Sequence, residues 1–238
     1  MTALVTGGAR GIGAACAHRL AADGHRVVIA DLDLAAADKV AGELPGSGHA
    51  AVLLDAGDAA SWRALAAARP SVDVIVNNAF TVVLGRAHEL AEDDWQRQIA
   101  VDLSAVYHSV RAYGADLLER GGAIVNVASV HAVLGYSGHP AYAAAKGGVV
   151  ALTRQLAVDY GPAVRVNAVL PGPIRTRIWD DVDEAGHRLA ASGTALRRMG
   201  LPDEVAAVVG FLSSADASYV TGAAIPVDGG CTILKDTP

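Results

Sequence analysis

The stretch "ALVTGGARGIG", residues 3–13, joins a short apolar run to a turn with glycines at 7, 11 and 13. The Ala-rich stretch "AACAHRLAADG" (14–24) follows directly and is typical of a helix. Glycines between a strand and a helix let the backbone approach a pyrophosphate at the helix N-terminus. They also occur in turns that only reverse the chain, so other residues must distinguish the two. The candidate cofactor contacts in this turn are Gly7, Arg10, Gly11, Ile12 and Gly13.

A carboxylate follows the second apolar run at a separation typical of dinucleotide sites. Asp31 lies 18 residues beyond Gly13, directly after "RVVIA" (26–30). A carboxylate at such a position accepts hydrogen bonds from both hydroxyls of an adenosine ribose. Asp31 therefore favours a dinucleotide site over a simple turn.

The apolar pattern alternates along the chain between short β-like runs and Ala- and Leu-rich helical stretches. This alternation predicts a parallel sheet covered by helices. No Pro- or Ser-rich linker divides the 238 residues, and a single α/β domain often has this size. We therefore expect one doubly wound α/β domain over 1–238 with seven parallel strands. The β-like runs are "ALVT" (3–6), "RVVIA" (26–30), "AAVLL" (50–54), "VDVIVN" (72–77), "AIVNVAS" (123–129), "VRVNAVL" (164–170) and "AAIPVDGG" (223–230).

The composition narrows the classes of partner. A net charge of -6 without a basic stripe argues against nucleic acid and favours a small molecule. The N-terminus has no secretory pattern, and no run approaches the roughly 18 apolar residues of a membrane helix. We therefore expect a cytoplasmic protein without membrane contact. Cys16 and Cys231 have no metal-ligand spacing, and we expect two reduced, buried thiols and no metal.

The stretch "PAYAAAKGG" (140–148) carries one of only three lysines in the chain, against sixteen arginines. If 141–159 is helical, Tyr142 and Lys146 lie one turn apart, where the ammonium favours the phenolate and lowers the phenol pKa. A phenol normally titrates near about 10, which is high for a base at neutral pH. Chance also produces such pairs, so the spacing alone is moderate evidence for an acid/base site.

The order of several motifs extends the argument to almost the whole chain. They are "TGGARGIG" (6–13), "LDAGD" (54–58), "NNAF" (77–80), "IVNVAS" (124–129), "AYAAAK" (141–146), "RVNAVLPGPIRT" (165–176) and "VTGAAIPVDGG" (220–230). In this order the chain resembles the short-chain dehydrogenase/reductase family. The resemblance implies a Rossmann-type fold, a nicotinamide cofactor, and hydride exchange between a secondary alcohol and a ketone.

The resemblance also implies roles for individual residues. Ser129 would donate a hydrogen bond to the substrate oxygen, Tyr142 would be the acid/base, and Lys146 would hold the nicotinamide ribose and tune Tyr142. Two pairs would contact the nucleotide, Asp55 and Ala56 beside the adenine and Asn78 and Ala79 beside the inner ribose. The residues expected at the nicotinamide are Pro171, Gly172, Ile174 and Thr176.

Two signals conflict over the choice of cofactor. Arg10 could contact the 2′-phosphate of NADP, whereas Asp31 would repel it. We side with Asp31 and expect NAD, with NADP less favoured. The rival function is an NADPH-dependent 3-oxoacyl-carrier-protein reductase, and a second alternative is a nucleotide-binding sensor without turnover.

The chain departs from the family pattern at two positions. Phe80 replaces the glycine of the usual Asn-Asn-Ala-Gly, so the pocket must differ there. Asp102 stands where the family usually has a catalytic-helix asparagine, whose backbone carbonyl is thought to hold a water of a proton relay. We expect Asp102 to keep that relay and to act on the charge of Lys146, or else only to pack locally.

The substrate pocket is expected in the segments 80–90 and 130–139, with a lid within 173–200. His131, Tyr136 and His139 suggest a polar pocket for a polyol or sugar, although loop histidines are often merely solvated. Arginines of the lid could attract an anion, but neighbouring acidic residues offset them.

Helix 141–159 is apolar or small on nearly all sides, which is too much for a helix with one face in water. A two-fold mate would cover the second face and give a dimer or a dihedral tetramer. The family resemblance favours a homotetramer.

Overall fold

The computed structural model describes residues 1–69 and 71–235. Its centre is a sheet of seven strands, all paired in parallel, in the order β3-β2-β1-β4-β5-β6-β7. The predicted seven-stranded parallel sheet is confirmed. Pro70 and residues 236–238 of the expected span lie outside the described residues. The strands are β1 (Thr2–Thr6), β2 (Arg26–Asp31), β3 (Ala50–Leu53), β4 (Val74–Asn77), β5 (Gly122–Val127), β6 (Val164–Pro171) and β7 (Ala224–Val227).

Helices cover both faces of the sheet because the central strands are apolar on both sides. Residues 74–77 of β4, for example, are all buried, as expected for a parallel strand between two helical layers. The helices are α1 (Gly11–Ala22), α2 (Leu34–Glu43), α3 (Ala59–Ala68), α4 (Glu92–Ile99), α5 (Ala105–Arg120), α6 (Pro140–Tyr160), α7 (Glu184–Ser192) and α8 (Pro202–Ser213).

Two hydrophobic cores lie on opposite sides of the sheet. One contains Leu20 of α1 and Val205 and Leu212 of α8. The other contains Trp62 of α3 and Leu117 of α5. Helices and their side chains fill the space on both faces of the sheet. The space for a ligand therefore lies at the carboxyl ends of the strands.

The order of the strands reverses between β1 and β4. The chain continues from β1 to β2 on one side, and β4 pairs with the other side of β1. Loops that leave in opposite directions open a crevice at the carboxyl ends of these strands. The glycine turn after β1 and the segment after β4 form its two sides.

Several element ends differ from the sequence prediction. The last predicted strand, 223–230, is strand only over Ala224–Val227, because Gly229 and Gly230 adopt positive φ angles of 61° and 82° and turn the chain. Helix α6 begins one residue early, at Pro140, where proline fits the first helical turn. Between α4 and α5 the helix widens to a π-helical segment over Ala100–Ser104.

The expected lid segment, 173–200, contains the short 3₁₀ turn Arg177–Trp179 and helix α7. No residue of either piece is buried. Among the described residues, no helix has both the length and the apolar character needed to cross a membrane.

Candidate active site

A cleft of about 1010 Å³ opens at the carboxyl ends of the strands. All but two of the site residues expected from the sequence line it, the exceptions being Gly13 and Asp102. The cleft therefore brings together segments that are far apart in the chain. The lining residues expected from the sequence are Gly7, Arg10, Gly11, Ile12, Asp31, Asp55, Ala56, Asn78, Ala79, Ser129, Tyr142, Lys146, Pro171, Gly172, Ile174 and Thr176.

The glycine turn has the form that a diphosphate requires. Gly7 and Gly11 have φ angles of +63° and +54°, which side chains disfavour. Gly13 lies beneath the turn, where a Cβ atom would stand 2.1 Å from the carbonyl oxygen of Gly7. No side chain caps the N-terminus of α1 and its first turn has no acidic residue, so it suits an anion.

The carboxylate of Asp31 is held at the end of β2 by two backbone groups. Its Oδ2 accepts a hydrogen bond from the Ala9 N–H and its Oδ1 one from the Asp33 N–H, both at 3.0 Å. The guanidinium of Arg10 makes an ion pair with Asp33. The Ala36 N–H and then Arg10 hold the pKa of Asp33 below its ordinary value. Arg10 is therefore engaged with a carboxylate next to Asp31.

The part of the cleft expected to hold the adenine contains a cation that the sequence analysis did not identify. Nη1 of Arg97 lies 3.0 Å from Oδ2 of Asp55, and Arg97 also lines the cleft. The indole N–H of Trp62 donates to the carbonyl of Ala56 at 2.9 Å. The turn at 55–56 is thus fixed from two sides, and these contacts fit a dinucleotide that extends from Asp31 to Thr176.

Ser129, Tyr142 and Lys146 meet where β5 ends. Ser129 follows this strand, and α6 presents Tyr142 and Lys146 one turn apart beside it. Nζ of Lys146 donates to the carbonyl of Val127 at 3.0 Å and lies 5.5 Å from the centre of the Tyr142 ring. Lys146 is only 2% exposed, so its charge is poorly screened.

The pKa of Tyr142 shifts in the direction opposite to the sequence expectation. Burial first, and then the charge of Asp102, raise it to about 12, whereas a hydrogen bond with Ser129 lowers it. Burial lowers the pKa of Lys146, and Asp102 opposes that change. The ammonium of Lys146 donates its hydrogen bond to the Val127 carbonyl. Desolvation of the phenol therefore raises the pKa of Tyr142 by more than any lowering by the charge of the lysine.

Asp102 lies in the π-helical segment behind the cleft. Its Oδ1 accepts a hydrogen bond from the Thr81 N–H at 2.7 Å, and its Oδ2 one from Gln98 at 3.5 Å. Burial raises its pKa, and the charge of Lys146 is the main opposing influence. The carboxylate thus packs locally, and its charge interacts with that of Lys146. Its part in a proton relay stays a prediction.

Gln98 is a contributor that the sequence did not suggest. It is fully buried, donates to the carbonyl of Thr81 at 2.9 Å and accepts from the Val83 N–H at 3.2 Å. Together with Asp102, four residues later, it holds the segment after β4 that carries Phe80 and Val82. The i, i+4 spacing of two polar residues was the available signal.

The substrate end of the cleft combines aromatic and aliphatic side chains. His131, Tyr136 and His139 all line it, and Phe80 is 45% exposed there. The expected lid segment contributes apolar side chains as well. The further apolar lining residues at this end are Val82, Leu84, Ile178, Trp179, Val182 and Leu189.

Cys231 corrects the expectation of two buried thiols. Cys16 is fully buried, and burial raises its pKa to about 12. Cys231 is only partly buried and lines the cleft, with Sγ 3.4 Å from the hydroxyl oxygen of Tyr136. The turn at Gly229 and Gly230 brings it there, and sequence spacing carries no signal of that return.

Comparison with known proteins agrees with this geometry. A protein-family model described as "Enoyl-(Acyl carrier protein) reductase" matches residues 7–232. Meso-2,3-butanediol dehydrogenase of Serratia marcescens is 40% identical over 99% of this chain and 96% of its own length. Galactitol 2-dehydrogenase (L-tagatose-forming) of Cereibacter sphaeroides is 38% identical, over 97% and 94%.

A solved structure is similar over the same extent. It is described as a putative 2-deoxy-D-gluconate 3-dehydrogenase from Agrobacterium tumefaciens with bound NADP. It is 34% identical, with a TM-score of 0.92 over 98% of this chain and 96% of that one. The chain belongs to the short-chain dehydrogenase/reductase family. It is an alcohol–ketone oxidoreductase with a nicotinamide cofactor, as predicted.

Proposed function

We propose that this protein is an NAD-dependent dehydrogenase of small, uncharged secondary alcohols. The observation that carries the proposal is the convergence of Ser129, Tyr142 and Lys146 at the end of β5, beside a cleft with an apolar outer end. A nucleotide-binding sensor without turnover would have no use for all three groups. A single domain over 1–238, a lid within 173–200 and a cytoplasmic location stay predictions.

Ser129, Tyr142 and Lys146 have different roles in the oxidation of the alcohol. When bound, NAD supplies the acceptor for the hydrogen and electron pair that leave the carbinol carbon. Tyr142, as phenolate, takes the hydroxyl proton, while Ser129 donates a hydrogen bond to the oxygen that becomes the ketone. The ammonium of Lys146 supports the phenolate and the ribose. In the reverse direction the protonated Tyr142 would give its proton to the carbonyl oxygen while the hydride would come from bound NADH, so no further oxidant or reductant is needed.

The preference for NAD rests on the charges around β2. A 2′-phosphate would lie against Asp31 and close to Asp33, and two carboxylates repel it. Arg10, which could compensate, is already paired with Asp33. The observations on the other side are the NADP in the related solved structure and the charge of Arg177, which lines the cleft and acts on Asp33.

An uncharged substrate fits the outer end of the cleft better than an acyl carrier thioester. Of the lid arginines, only Arg177 lines the cleft, and its charge lowers the pKa of Asp33, which lies two residues beyond the end of β2. Arg188 and Arg198 are paired with Glu184 and Glu204. The names of the relatives, which refer to butanediol and galactitol, also support small neutral alcohols.

A homotetramer is the proposed assembly. The outer face of α6 meets α5 at an open apolar groove, and Tyr107 on its rim is 56% exposed. A second copy related by a two-fold axis would cover the groove. The residues that line it are Leu103, Ser104, Tyr107, Gly148, Ala151, Leu152 and Gln155.

Initial rates with purified protein test the proposed function. A panel of neutral secondary alcohols and their ketones is assayed with NAD(H) and with NADP(H). We expect turnover of neutral alcohols and kcat/KM at least about tenfold higher with NAD, because repulsion by one carboxylate is worth roughly 1 kcal/mol or more at short range. Turnover of only acyl thioesters, or a preference for NADP, would contradict the proposal.

A further inference from the structure

His131 is tied directly to the catalytic serine. It lies in the 3₁₀ turn Val130–Ala132 that begins where Ser129 ends the strand. Its backbone N–H donates to Oγ of Ser129 at 3.2 Å. This hydrogen bond holds the backbone of His131 beside Ser129, the residue proposed to bind the reacting oxygen.

Three aromatic rings fix the orientation of the His131 ring. It stacks on Tyr136 with ring centres 4.3 Å apart and an interplanar angle of 27°. It meets His139 at 4.8 Å and Tyr142 edge-on at 5.0 Å and 85°. A ring packed in this way cannot turn freely, so its nitrogens point in defined directions.

The two ring nitrogens of His131 differ in environment. Nδ1 is buried and has no hydrogen-bond partner among the described residues. Burial first, and the charge of His139 second, lower the pKa of His131 to about 4, so the ring is neutral at physiological pH. A neutral imidazole carries one N–H. Because Nδ1 is enclosed, a ligand in the cleft can reach only Nε2, and we assign the N–H to Nε2.

Tyr136 and His139, which also line the cleft, each have one hydrogen-bond partner. The hydroxyl of Tyr136 contacts Sγ of Cys231. Nδ1 of His139 lies 2.8 Å from the carbonyl oxygen of Ser137, and the ring centre of His139 is 6.5 Å from that of Tyr142. The ring of His131 is nearer to that of Tyr142, and it lines the cleft together with the apolar side chains of Phe80 and Val82.

We propose that Nε2–H of His131 donates a hydrogen bond to a second oxygen of the substrate, on the carbon next to the reacting one. The preferred substrates are then neutral vicinal diols, and the products are α-hydroxyketones. Ser129 and Tyr142 hold the reacting oxygen, and His131 contacts both residues, so an oxygen one carbon away lies within its reach. This inference rests on the proposed function and adds the class of alcohol to it.

Matched pairs of alcohols that differ by one hydroxyl test the inference. The pairs are 2,3-butanediol with 2-butanol, and 1,2-cyclohexanediol with cyclohexanol, each diol as separate stereoisomers. We expect the wild type to favour the diol by at least about tenfold in kcat/KM in one pair or both. His131→Phe keeps the ring and removes the donor. It should lower kcat/KM for that diol by about ten- to a hundredfold, since a buried oxygen loses its partner, and change the simple alcohol by less than threefold.

Two further variants separate a specific contact from a general disturbance. His131→Gln retains an N–H donor and should restore part of the diol preference. His18→Phe, a ring substitution on α1 outside the cleft lining, should change the diol-to-alcohol ratio by less than threefold. If His131→Phe does not fold, as judged by circular dichroism, the wild-type ratio and His131→Gln decide.

The possible results separate a failure of this inference from a failure of the proposed function. Equal rates for both members of each pair in the wild type, or an unchanged ratio in a folded His131→Phe, would overturn the role of His131 and leave the proposed function intact. No oxidation of any secondary alcohol with either cofactor would overturn the proposed function and this inference with it.

Discussion

Asp102 and Lys146 are two buried ionisable residues whose charges affect each other. Each is 2% exposed, and burial pushes both toward their neutral forms, so the pKa of Asp102 rises and that of Lys146 falls. Each charge opposes the shift of the other. The same carboxylate raises the pKa of Tyr142. A single side chain behind the cleft therefore influences the proton affinity of both groups in front of it.

The pH dependence of alcohol oxidation tests the electrostatic role of Asp102. Oxidation needs the phenolate, so its rate rises with pH through the pKa of Tyr142. Asp102→Asn removes a negative charge that raises this pKa. The rising, acidic limb of the kcat/KM profile should therefore move to lower pH, with turnover at the pH optimum within about threefold of wild type.

The profile is measured with NAD and one neutral alcohol, beside Asp116→Asn as a control for an acidic residue distant from the cleft. A profile that superimposes on that of wild type would show that the carboxylate acts only through its bond to Thr81. Complete inactivity of a folded variant would show a direct chemical role.

At the scale of the element, α6 carries two of the proposed catalytic residues and the face that the proposed assembly would cover. Its inner face packs against the sheet with Val149, Val150 and Leu156 buried. Its outer face leaves Ala151 exposed in the groove with α5 and Val158 78% exposed. The sequence could predict this two-sided character because small and apolar residues surround the whole helix. It could not predict which neighbouring helix completes the groove.

Sedimentation velocity at micromolar concentration tests the proposed assembly. We expect a tetramer for the wild type and a smaller species for Ala151→Glu, because a carboxylate in an apolar interface stays desolvated and unpaired. Asp159→Ala, an exposed change on the same helix, is the control and should leave the mass unchanged. A stable wild-type monomer would contradict the proposal.

The π-helical segment is an element that the sequence did not predict. In the structure the helical residues run without a break from Glu92 to Arg120, with one wider turn at Ala100–Ser104. This turn allows Asp102 to bond with Thr81 while Gln98 bonds with Thr81 and Val83. Long-range contacts of this kind depend on the packed structure and not on local spacing.

At the scale of the whole molecule, the sequence predicted best the features that depend on local sequence patterns. The alternation of strands and helices predicted the seven-stranded sheet, and all but two of the site residues expected from the motifs line the cleft. Cys231, Arg97 and the unpaired nitrogen of His131 were not predicted. Cys231 and Arg97 reach the cleft because segments that are distant in the sequence pack together. Nδ1 of His131 lacks a partner because the ring is packed inside the structure. The spacing of residues in the sequence reveals neither effect.

The central claim is that Tyr142 moves the proton while NAD takes the hydride, and Tyr142→Phe tests it most directly. The variant keeps the ring that packs on His131 and removes only the hydroxyl. We expect kcat for a neutral secondary alcohol with NAD to fall by at least about a hundredfold, as is common when a general acid/base is lost, while the Kd for NADH from fluorescence titration stays within threefold. Turnover within tenfold of wild type, in a variant that binds NADH normally, would contradict the account.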